Sequence, residues 1–324
     1  MLGGGSWGTA LSAHLARSGH AVRLWLRTAD VARAINERRE NSAYLPGVPL
    51  PAGLEATTDL AAAVSGAETA FVVIPSEYCR AIYRQLRAVA PPALVVVSAT
   101  KGIETDTLSR MTEVAARETP GHPLAVVSGP SFALEVAQGQ PTTVVVAAAD
   151  LSVAEAVQRV LSSRTFRAYS SDDVVGVELA GALKNVIAIA AGIIDGLGYG
   201  HNTVAALITR GLAEMMRLAV ALGGRADTLS GLAGLGDLVL TCTGALSRNR
   251  RVGQALGAGR TLADAVSGTH MVAEGVRTTL AACALADRAA IEMPIARQMQ
   301  AVLYEGKPPR DAVEELMLRT LKRE

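Results

Sequence analysis

The sequence has few aromatic residues, few cysteines and almost no net charge, and each shortage excludes a class of protein. Aromatic side chains make up 3% of the 324 residues, so Ala, Val, Leu and Gly must build the core. The three cysteines, Cys79, Cys242 and Cys283, fit neither a disulfide framework nor a metal site, because they are far apart and odd in number. This use of cysteine is typical of a reducing cytoplasm.

Charge and hydropathy exclude further partners. The formal net charge is +1, so no long-range field attracts nucleic acid or an anionic membrane. The longest wholly apolar stretch, 186–194, is too short to cross a bilayer, and the first residues lack the charged and apolar regions of a signal peptide. We therefore expect a cytoplasmic protein without membrane insertion, and its length allows two domains with separate cores.

Glycines at the start of the chain have the spacing of a dinucleotide fingerprint, Gly3-x-Gly5-x-x-Gly8. In that motif the first glycine makes a tight turn, the second admits a pyrophosphate, and the third allows close packing of helix and strand. A helical run and a strand at 21–26 follow, which favours a dinucleotide site over a plain glycine turn. The preceding strand is reduced to residues 1–2, so either the start is shortened or the sheet tolerates a stub.

Arg27 occupies the strand end that meets the adenosine ribose in such folds. An acidic residue there is typical of NAD, whereas an arginine stacks on adenine or pairs with a 2′-phosphate. Asp30 follows slightly later, and a solvated arginine at a strand end is the simple alternative. We predict that NADP is accepted.

Short apolar strands alternate with helical stretches through the first half of the chain, and their near-continuous Val and Ile runs favour a sheet covered on both faces. Ligands of such sheets bind at the carboxyl ends of the strands. Three of these ends carry Pro75-Ser76, Lys101-Gly102 and the segment 129–133, and we expect them to face one cleft. The predicted strands are 69–75, 93–99, 124–128 and 142–147.

From about residue 172 the strand pattern stops and helical periodicity takes over. The sequence therefore predicts an α/β Rossmann-type N-terminal domain followed by an all-α C-terminal domain. We place the dinucleotide-binding domain at 1–171 and the helical substrate and catalytic domain at 172–324.

Lys184 lies within an otherwise apolar helical segment, 177–194. On a helical wheel Glu178 and Asn185 share one edge, whereas Lys184 is about 100° away from it. A buried ammonium is costly unless it is paired, hydrated or deprotonated, and the small neighbour Gly181 leaves room for another group to approach. Two interpretations stay open: a snorkelling lysine beside a close helix contact, or a catalytic base that faces the cleft between domains.

Two further clusters follow in the helical half. The glycine-rich stretch 231–238 contains one carboxylate, Asp237, for which a turn residue is the simple alternative. The run 247–251 reads as a helix start capped by Ser247, and its arginines, its asparagine and its N–H groups suit an oxyanion or phosphate. An exposed charged helix end is the alternative there. We interpret His14 and His201 as structural residues.

Seven short blocks resemble the NAD(P)-dependent glycerol-3-phosphate dehydrogenases of the bacterial type. They occur in family order and cover nearly the whole chain, although Gly4 replaces the usual alanine and the first strand is short. The blocks are Gly-Ser-Trp-Gly-Thr-Ala at 5–10, Ala-Thr-Lys-Gly-Ile-Glu at 99–104, Ser-Gly-Pro-Ser-Phe-Ala at 128–133, Gly-Ala-Leu-Lys-Asn-Val at 181–186, Gly-Leu-Gly-Asp-Leu at 234–238, Ser-Arg-Asn at 247–249 and Val-Ala-Glu-Gly at 272–275.

The resemblance implies that sn-glycerol 3-phosphate and dihydroxyacetone phosphate are interconverted with NAD or NADP, without a metal. It also implies a homodimer, and a role in supplying glycerol 3-phosphate for phospholipid synthesis. It makes Lys184 the proton acceptor. The implied cofactor residues are Gly3, Gly5, Ser6, Trp7, Gly8, Arg27, Lys101, Ala133, Arg248, Val272 and Glu274. The implied substrate residues are Lys101, Gly129, Ser131, Lys184, Asp237, Ser247, Arg248 and Asn249.

Two alternatives to this function remain open. Another two-domain dehydrogenase, acting on a small phosphorylated or hydroxylated acid, could share the same fold. A non-catalytic NAD(P)H-binding protein could keep the glycine loop while lacking the base, Lys184, and the phosphate-binding residues 247–249.

Overall fold

The computed structural model describes residues 1–267 and 273–321, which form two compact units. The first unit contains Met1–Glu104 and Ser109–Glu178. The second contains Thr105–Leu108 and the described residues from Leu179 onwards. The domain boundary between 171 and 172 stays a prediction.

The first unit is built on a mainly parallel sheet, in which only the pairing of the fifth and sixth named strands is antiparallel among the described residues. Two of its strands were not predicted, and both lie at sheet edges, where alternating exposed residues interrupt the apolar runs. The strands are β1 (Val22–Trp25), β2 (Leu54–Thr57), β3 (Thr69–Val72), β4 (Val95–Ser98), β5 (Leu124–Ser128), β6 (Thr142–Ala147) and β7 (Phe166–Ser171). Their order is β2-β1 and β3-β4-β5-β6-β7, so the two strands that were not predicted are β2 and β7.

Leu2 joins the two groups of strands. It is fully buried and forms parallel bridges to Trp25 of β1 and Val72 of β3. Its N–H donates to the carbonyl of Phe71, and its carbonyl accepts from Val73. Leu2 therefore occupies the central position of the sheet, between β1 and β3.

Helices cover both faces of the sheet, as the continuous apolar strands predicted. Adjacent strand residues enter opposite cores: Val97 belongs to one buried cluster and Val96 to the other. The helices of this unit are α1 (Ser6–Arg17), α2 (Ala29–Arg38), α3 (Leu60–Val64), α4 (Ser76–Arg87), α5 (Met111–Glu118), α6 (Ala133–Ala137) and α7 (Leu151–Leu161).

Every regular element among the described residues of the second unit is a helix, which confirms the predicted fold class. Its first helix, α8 (Val174–Gly196), begins in the first unit. This helix is the one described segment long and apolar enough to span a membrane, but its apolar window is entirely buried, as in a core helix. The others are α9 (His201–Ala221), α10 (Ala226–Ser230), a π-helical turn (Leu232–Gly236), α11 (Asp237–Thr243), α12 (Arg248–Gly257), α13 (Leu262–Val266), α14 (Glu274–Ala289), α15 (Pro294–Tyr304) and α16 (Pro309–Met317).

Glycines allow α8 and α12 to cross in direct backbone contact. A β-carbon at Gly192 of α8 would overlap the carbonyl of Arg250, and one at Gly253 of α12 would overlap the carbonyl of Ile189. Arg250 also forms an ion pair with Asp195. The start of α12 is therefore held in a fixed relation to α8.

Glu214 caps the start of α15 from inside the protein. Its buried carboxylate accepts hydrogen bonds from the backbone N–H groups of Ile295 (2.8 Å) and Ala296 (3.3 Å). Burial raises the pKa of Glu214 to about 7, although both hydrogen bonds favour the charged form. The unfolded carboxyl group titrates near 4.5, so the folded state retains the proton over a wider range of pH than the unfolded state.

The raised pKa of Glu214 predicts a loss of stability as pH rises from 4.5 to about 7, because ionisation then favours the unfolded chain. Relative to Glu214→Gln, the wild-type free energy of unfolding should fall by on the order of 3 kcal/mol across this window and then level off. Denaturant titrations at a series of pH values measure the difference. Parallel pH profiles for the two proteins would contradict the assignment.

Candidate active site

The three glycines of the N-terminal motif meet different structural demands. Gly3 has φ +120°, and a β-carbon there would overlap the carbonyl of Val73. A β-carbon at Gly8 would overlap the carbonyl of Gly3. At Gly5, by contrast, a β-carbon would meet no described atom within 4 Å.

Gly5 therefore marks open space at the start of α1, where it occupies the N-cap position without a side-chain cap. Packing explains the first and third glycines, whereas no packing contact among the described residues requires the second, which in the dinucleotide motif admits the pyrophosphate. The N-terminal turn also lacks an acidic side chain that would repel an anion. The loop thus fits the pyrophosphate of a dinucleotide.

A second loop fixes this glycine turn. The buried Asn41 amide donates to the carbonyl of Gly4 (2.9 Å) and to the hydroxyl of Thr9 (2.8 Å). The Ser6 hydroxyl donates to the carbonyl of Tyr44 at 2.6 Å. Sequence reasoning missed Asn41, because no local motif links it to a turn 37 residues away.

Arg27 and Trp7 lie in the same unit as the glycine turn. The exposed Arg27 guanidinium lies 5.6 Å from the ring centroid of Tyr78. The indole of Trp7 packs against the core, and its buried N–H has no hydrogen-bond partner among the described residues. Ala133 is the first residue of the short helix α6.

The carboxyl ends of β4 and β5 bring three predicted residues together. Lys101 Nζ donates to the carbonyl of Gly129 at 3.0 Å, and the Ser131 hydroxyl donates to the same oxygen at 2.9 Å. Gly129 has φ +140°, and a β-carbon there would lie 2.9 Å from Cα of Val144. The hydroxyl of Thr100 donates to the carbonyl of Ile74, which ties the end of β3 to the same edge.

Lys184 is buried and paired within the second unit. Its Nζ donates to Asp237 Oδ1 at 2.5 Å and to Thr241 Oγ1 at 2.7 Å. The Lys184 and Asp237 side chains are only 7% and 1% exposed. The nitrogen therefore does not reach bulk water, as that of a snorkelling lysine would.

Thr241 completes this group and was missed from the sequence. Its hydroxyl donates to the carbonyl of Asp237 at 2.6 Å, one helical turn earlier on α11. The i, i+4 spacing from Asp237 was the available signal, but threonines at this spacing are common on helices. Together the two side chains hold the Lys184 ammonium.

The π-helical turn before α11 explains the glycine-rich stretch. A β-carbon at Gly234 would overlap the backbone of Leu229, so the turn packs directly on the end of α10. Such turns are rare and occur often at functional sites. This tight packing places Asp237 at the first position of α11, opposite Lys184.

The start of α12 has the predicted cap: Ser247 Oγ accepts from the backbone N–H of Arg250. Arg248 follows and is half-buried. Burial lowers the pKa of the Arg248 guanidinium, the charge of Arg251 lowers it further, and Glu274 opposes both. Arg248 and Glu274 are thus within electrostatic range of one another, whereas Val272 lies outside the described residues.

Asn249 is buried, and both the nitrogen and the oxygen of its side-chain amide form hydrogen bonds. Nδ2 donates to Asn185 Oδ1 at 2.9 Å, and Oδ1 accepts from the backbone N–H of Gly275 at 3.0 Å. Its position on α12 agrees with the predicted cluster 247–249. Its side chain, however, is engaged within the protein.

The histidines agree with their structural interpretation. His14 Nε2 lies 2.7 Å from the carbonyl of Leu161, and its ring stacks on Phe166. Burial lowers the pKa of His14, so the neutral ring is favoured. His201 is an exposed residue at the start of α9.

A dinucleotide-type α/β unit, followed by a helical unit with a buried Lys–Asp pair, defines a two-domain nicotinamide-dependent dehydrogenase by class. Known proteins agree with this class. Family models described as the N-terminus and the C-terminus of NAD-dependent glycerol-3-phosphate dehydrogenase match residues 1–154 and 173–314. The chain belongs to this family, which confirms the resemblance inferred from the sequence.

Relatives resemble the chain over its full length. A glycerol-3-phosphate dehydrogenase (NAD(P)+) of Nitratidesulfovibrio vulgaris strain DP4 is 54% identical over 326 residues, covering 100% of this chain and 99% of that protein. The crystal structure of glycerol-3-phosphate dehydrogenase from Coxiella burnetii has TM-score 0.95 at 43% identity, covering 98% of each chain. The Saccharomyces cerevisiae enzyme has TM-score 0.82 at 25% identity, covering 97% of each chain.

The buried ion pair predicts a large stability effect when one partner is removed. Asp237→Ala should lower the free energy of unfolding by about 3 kcal/mol, because it leaves the Lys184 ammonium buried without this carboxylate. Lys184→Met/Asp237→Leu should recover most of the loss, since neither charge remains. Urea denaturation measures both variants, and an unaltered midpoint for Asp237→Ala would refute the pairing.

Proposed function

We propose that this protein is an oxidoreductase that interconverts sn-glycerol 3-phosphate and dihydroxyacetone phosphate with NAD or NADP. The observation that carries the proposal is the Lys184 amine, which is held inside the protein by Asp237 and Thr241. Family membership and the names of the relatives support the same activity.

The cofactor is held by the glycine turn and by the further residues that the family resemblance implies. The backbone around Gly5 and the start of α1 receive the pyrophosphate, and exposed Arg27 receives the adenosine end. When bound, the nicotinamide supplies the hydride acceptor or donor. The proposed cofactor residues are Gly3, Gly5, Ser6, Trp7, Gly8, Arg27, Lys101, Ala133, Arg248, Val272 and Glu274.

Lys184 moves the proton that this redox reaction requires. In the reducing direction its ammonium donates a proton to the oxygen of the substrate carbonyl, and in the oxidising direction its neutral amine accepts the hydroxyl proton. Asp237 and Thr241 hold Nζ in one orientation, so little rearrangement is needed at the moment of transfer. Lys101 supplies positive charge where the substrate oxygen becomes negative.

The phosphate group binds at the start of α12. The Arg248 guanidinium and the N-terminal N–H groups of a ten-residue helix attract an anion together. Lys101, Gly129 and Ser131 complete the substrate ligands, with Asp237, Ser247 and Asn249. A dehydrogenase of an unphosphorylated hydroxy acid would not need a cationic site at the start of α12. A non-catalytic NAD(P)H-binding protein would not need the buried Lys184 amine.

Three wider features belong to the same proposal. Residues 1–171 act as the dinucleotide-binding domain, and residues 172–324 act as the substrate and catalytic domain. The protein works in the cytoplasm as a homodimer. Its product, glycerol 3-phosphate, enters phospholipid synthesis.

Removal of the base should stop catalysis without removing cofactor binding. Lys184→Ala should reduce kcat for NADPH-dependent reduction of dihydroxyacetone phosphate by about 10²–10⁴-fold. Lys307→Ala is the matched control, because Lys307 pairs with Glu315 at another position. Absorbance assays measure turnover, and fluorescence titration measures NADPH binding.

Turnover of Lys184→Ala at the wild-type rate would contradict the assignment of Lys184 as the base.

The same turnover assay distinguishes a phosphorylated substrate from an unphosphorylated one when Arg248→Ala is tested with phosphorylated and unphosphorylated dihydroxyacetone. Only the phosphorylated substrate should lose binding. No turnover by the wild-type protein with either substrate would contradict the proposed function.

Arg27 should favour a cofactor that carries a 2′-phosphate. Arg27→Ala is expected to raise KM for NADPH about tenfold or more while altering KM for NADH much less, because one charge-assisted contact is lost. Arg33→Ala is the control, since Arg33 is exposed nearby and pairs with Asp30. A strong preference for NAD that persists in Arg27→Ala would defeat the idea.

A further inference from the structure

One buried amide joins three helices of the second unit. Asn249 of α12 is 7% exposed, donates to Asn185 of α8 and accepts from the backbone of Gly275 of α14. A β-carbon at Gly275 would lie 2.5 Å from the carbonyl oxygen of Asn185 and 2.8 Å from Oδ1 of Asn249. The absence of a side chain at Gly275 therefore allows these helices to meet. We call Asn185, Asn249 and Gly275 the amide junction.

Each member of the amide junction is the chain neighbour of a proposed site residue. Asn185 follows the proposed base, Lys184. Asn249 follows the proposed phosphate ligand, Arg248. Gly275 follows Glu274, one of the proposed cofactor residues. A shift of one junction residue moves the backbone that carries its neighbour. The junction therefore fixes the spacing of Lys184, Arg248 and Glu274.

The side chain and the backbone of Asn249 have separate tasks. The amide oxygen and one amide N–H are already used inside the protein. The backbone N–H of Asn249, at the second position of α12, has no partner among the described residues and suits an anion. We therefore assign the backbone N–H of Asn249 to the substrate anion and its side chain to the contacts between helices.

The rest of the α8–α12 crossing does not depend on this amide. The glycine contacts around Gly192 and Gly253, and the ion pair of Arg250 with Asp195, lie further along both helices. Gln254 adds a hydrogen bond to Asp195 at 3.4 Å. Loss of the Asn249 amide should therefore loosen the first turns of α12 and α14 while the crossing persists.

We propose that the Asn249 side chain is a positioning group that couples cofactor binding to substrate binding by holding α8, α12 and α14 in the amide junction. This inference rests on the proposed function, because it assigns Glu274 to the cofactor and Arg248 to the phosphate. Its distinctive consequence is that NADPH binding depends on Asn249 even without substrate. A residue that only contacts substrate has no such effect.

The test is a fluorescence titration of NADPH into the full-length protein without dihydroxyacetone phosphate. Asn185→Ala removes the bond between the two side chains and should raise the Kd about tenfold, the change that loss of one buried hydrogen bond typically produces. Asn249→Ala also removes the bond from Gly275 and should raise the Kd at least as much. The double variant should lose no more than Asn249→Ala alone, because Asn249→Ala already removes the bond to Asn185. Gln254→Ala, which removes an amide contact between the same two helices, should leave the Kd unchanged.

A steady-state assay completes the experiment. KM for dihydroxyacetone phosphate should rise in Asn249→Ala together with the Kd for NADPH. If Asn249→Ala does not fold, Asn249→Asp replaces it, because its carboxylate still accepts from Gly275 but cannot donate to Asn185. Circular dichroism establishes folding for every variant.

Two results would overturn the positioning role. An unchanged Kd for NADPH with a raised KM for the substrate would make the Asn249 side chain a direct substrate ligand. Equal weakening in Gln254→Ala would show general loosening of the crossing. A wild-type protein that binds NADPH but does not reduce dihydroxyacetone phosphate would instead refute the proposed function, so the two failures are distinguishable.

Discussion

The burial of Lys184 beside Asp237 is the constraint that the surrounding part of the second unit has to satisfy. The Lys184 side chain is only 7% exposed on an apolar helix, and its ammonium is costly to bury unless partners lie within hydrogen-bond distance, as a carboxylate and a hydroxyl do here. The surrounding structure supplies both through a tight π-helical turn and one turn of α11. Such pairs stabilise a fold only weakly, which favours a chemical reason for keeping this one.

Glycine provides the close approaches around this pair and around the N-terminal turn. Gly192 and Gly253 bring the backbones of α8 and α12 into contact, and Gly275 admits the Asn249 amide. In the first unit Gly3 and Gly8 serve packing, whereas Gly5 leaves space beside a helix start. Some glycines therefore allow close backbone packing, and one leaves open space at a helix start.

Local demands explain how much the sequence could predict. Features that depend only on neighbouring residues in the sequence could be predicted. These are the glycine motif, the Ser247 cap and the isolated Lys184 on an apolar helix. The edge strands β2 and β7 were missed because exposed residues interrupt their apolar pattern. Asn41, Thr241 and the inward use of Asn249 could not be predicted, since their partners lie on other elements or follow a common helical spacing.

The central claim, that the Lys184 amine transfers the proton, is tested most directly by chemical rescue. Small primary amines added to Lys184→Ala should restore reduction of dihydroxyacetone phosphate in proportion to their concentration, because they occupy the space left beside Asp237. Rescue should also depend on the pKa of the added amine, as general acid catalysis requires. An inactive variant that binds NADPH and substrate normally, yet gains no activity from any amine, would contradict the account.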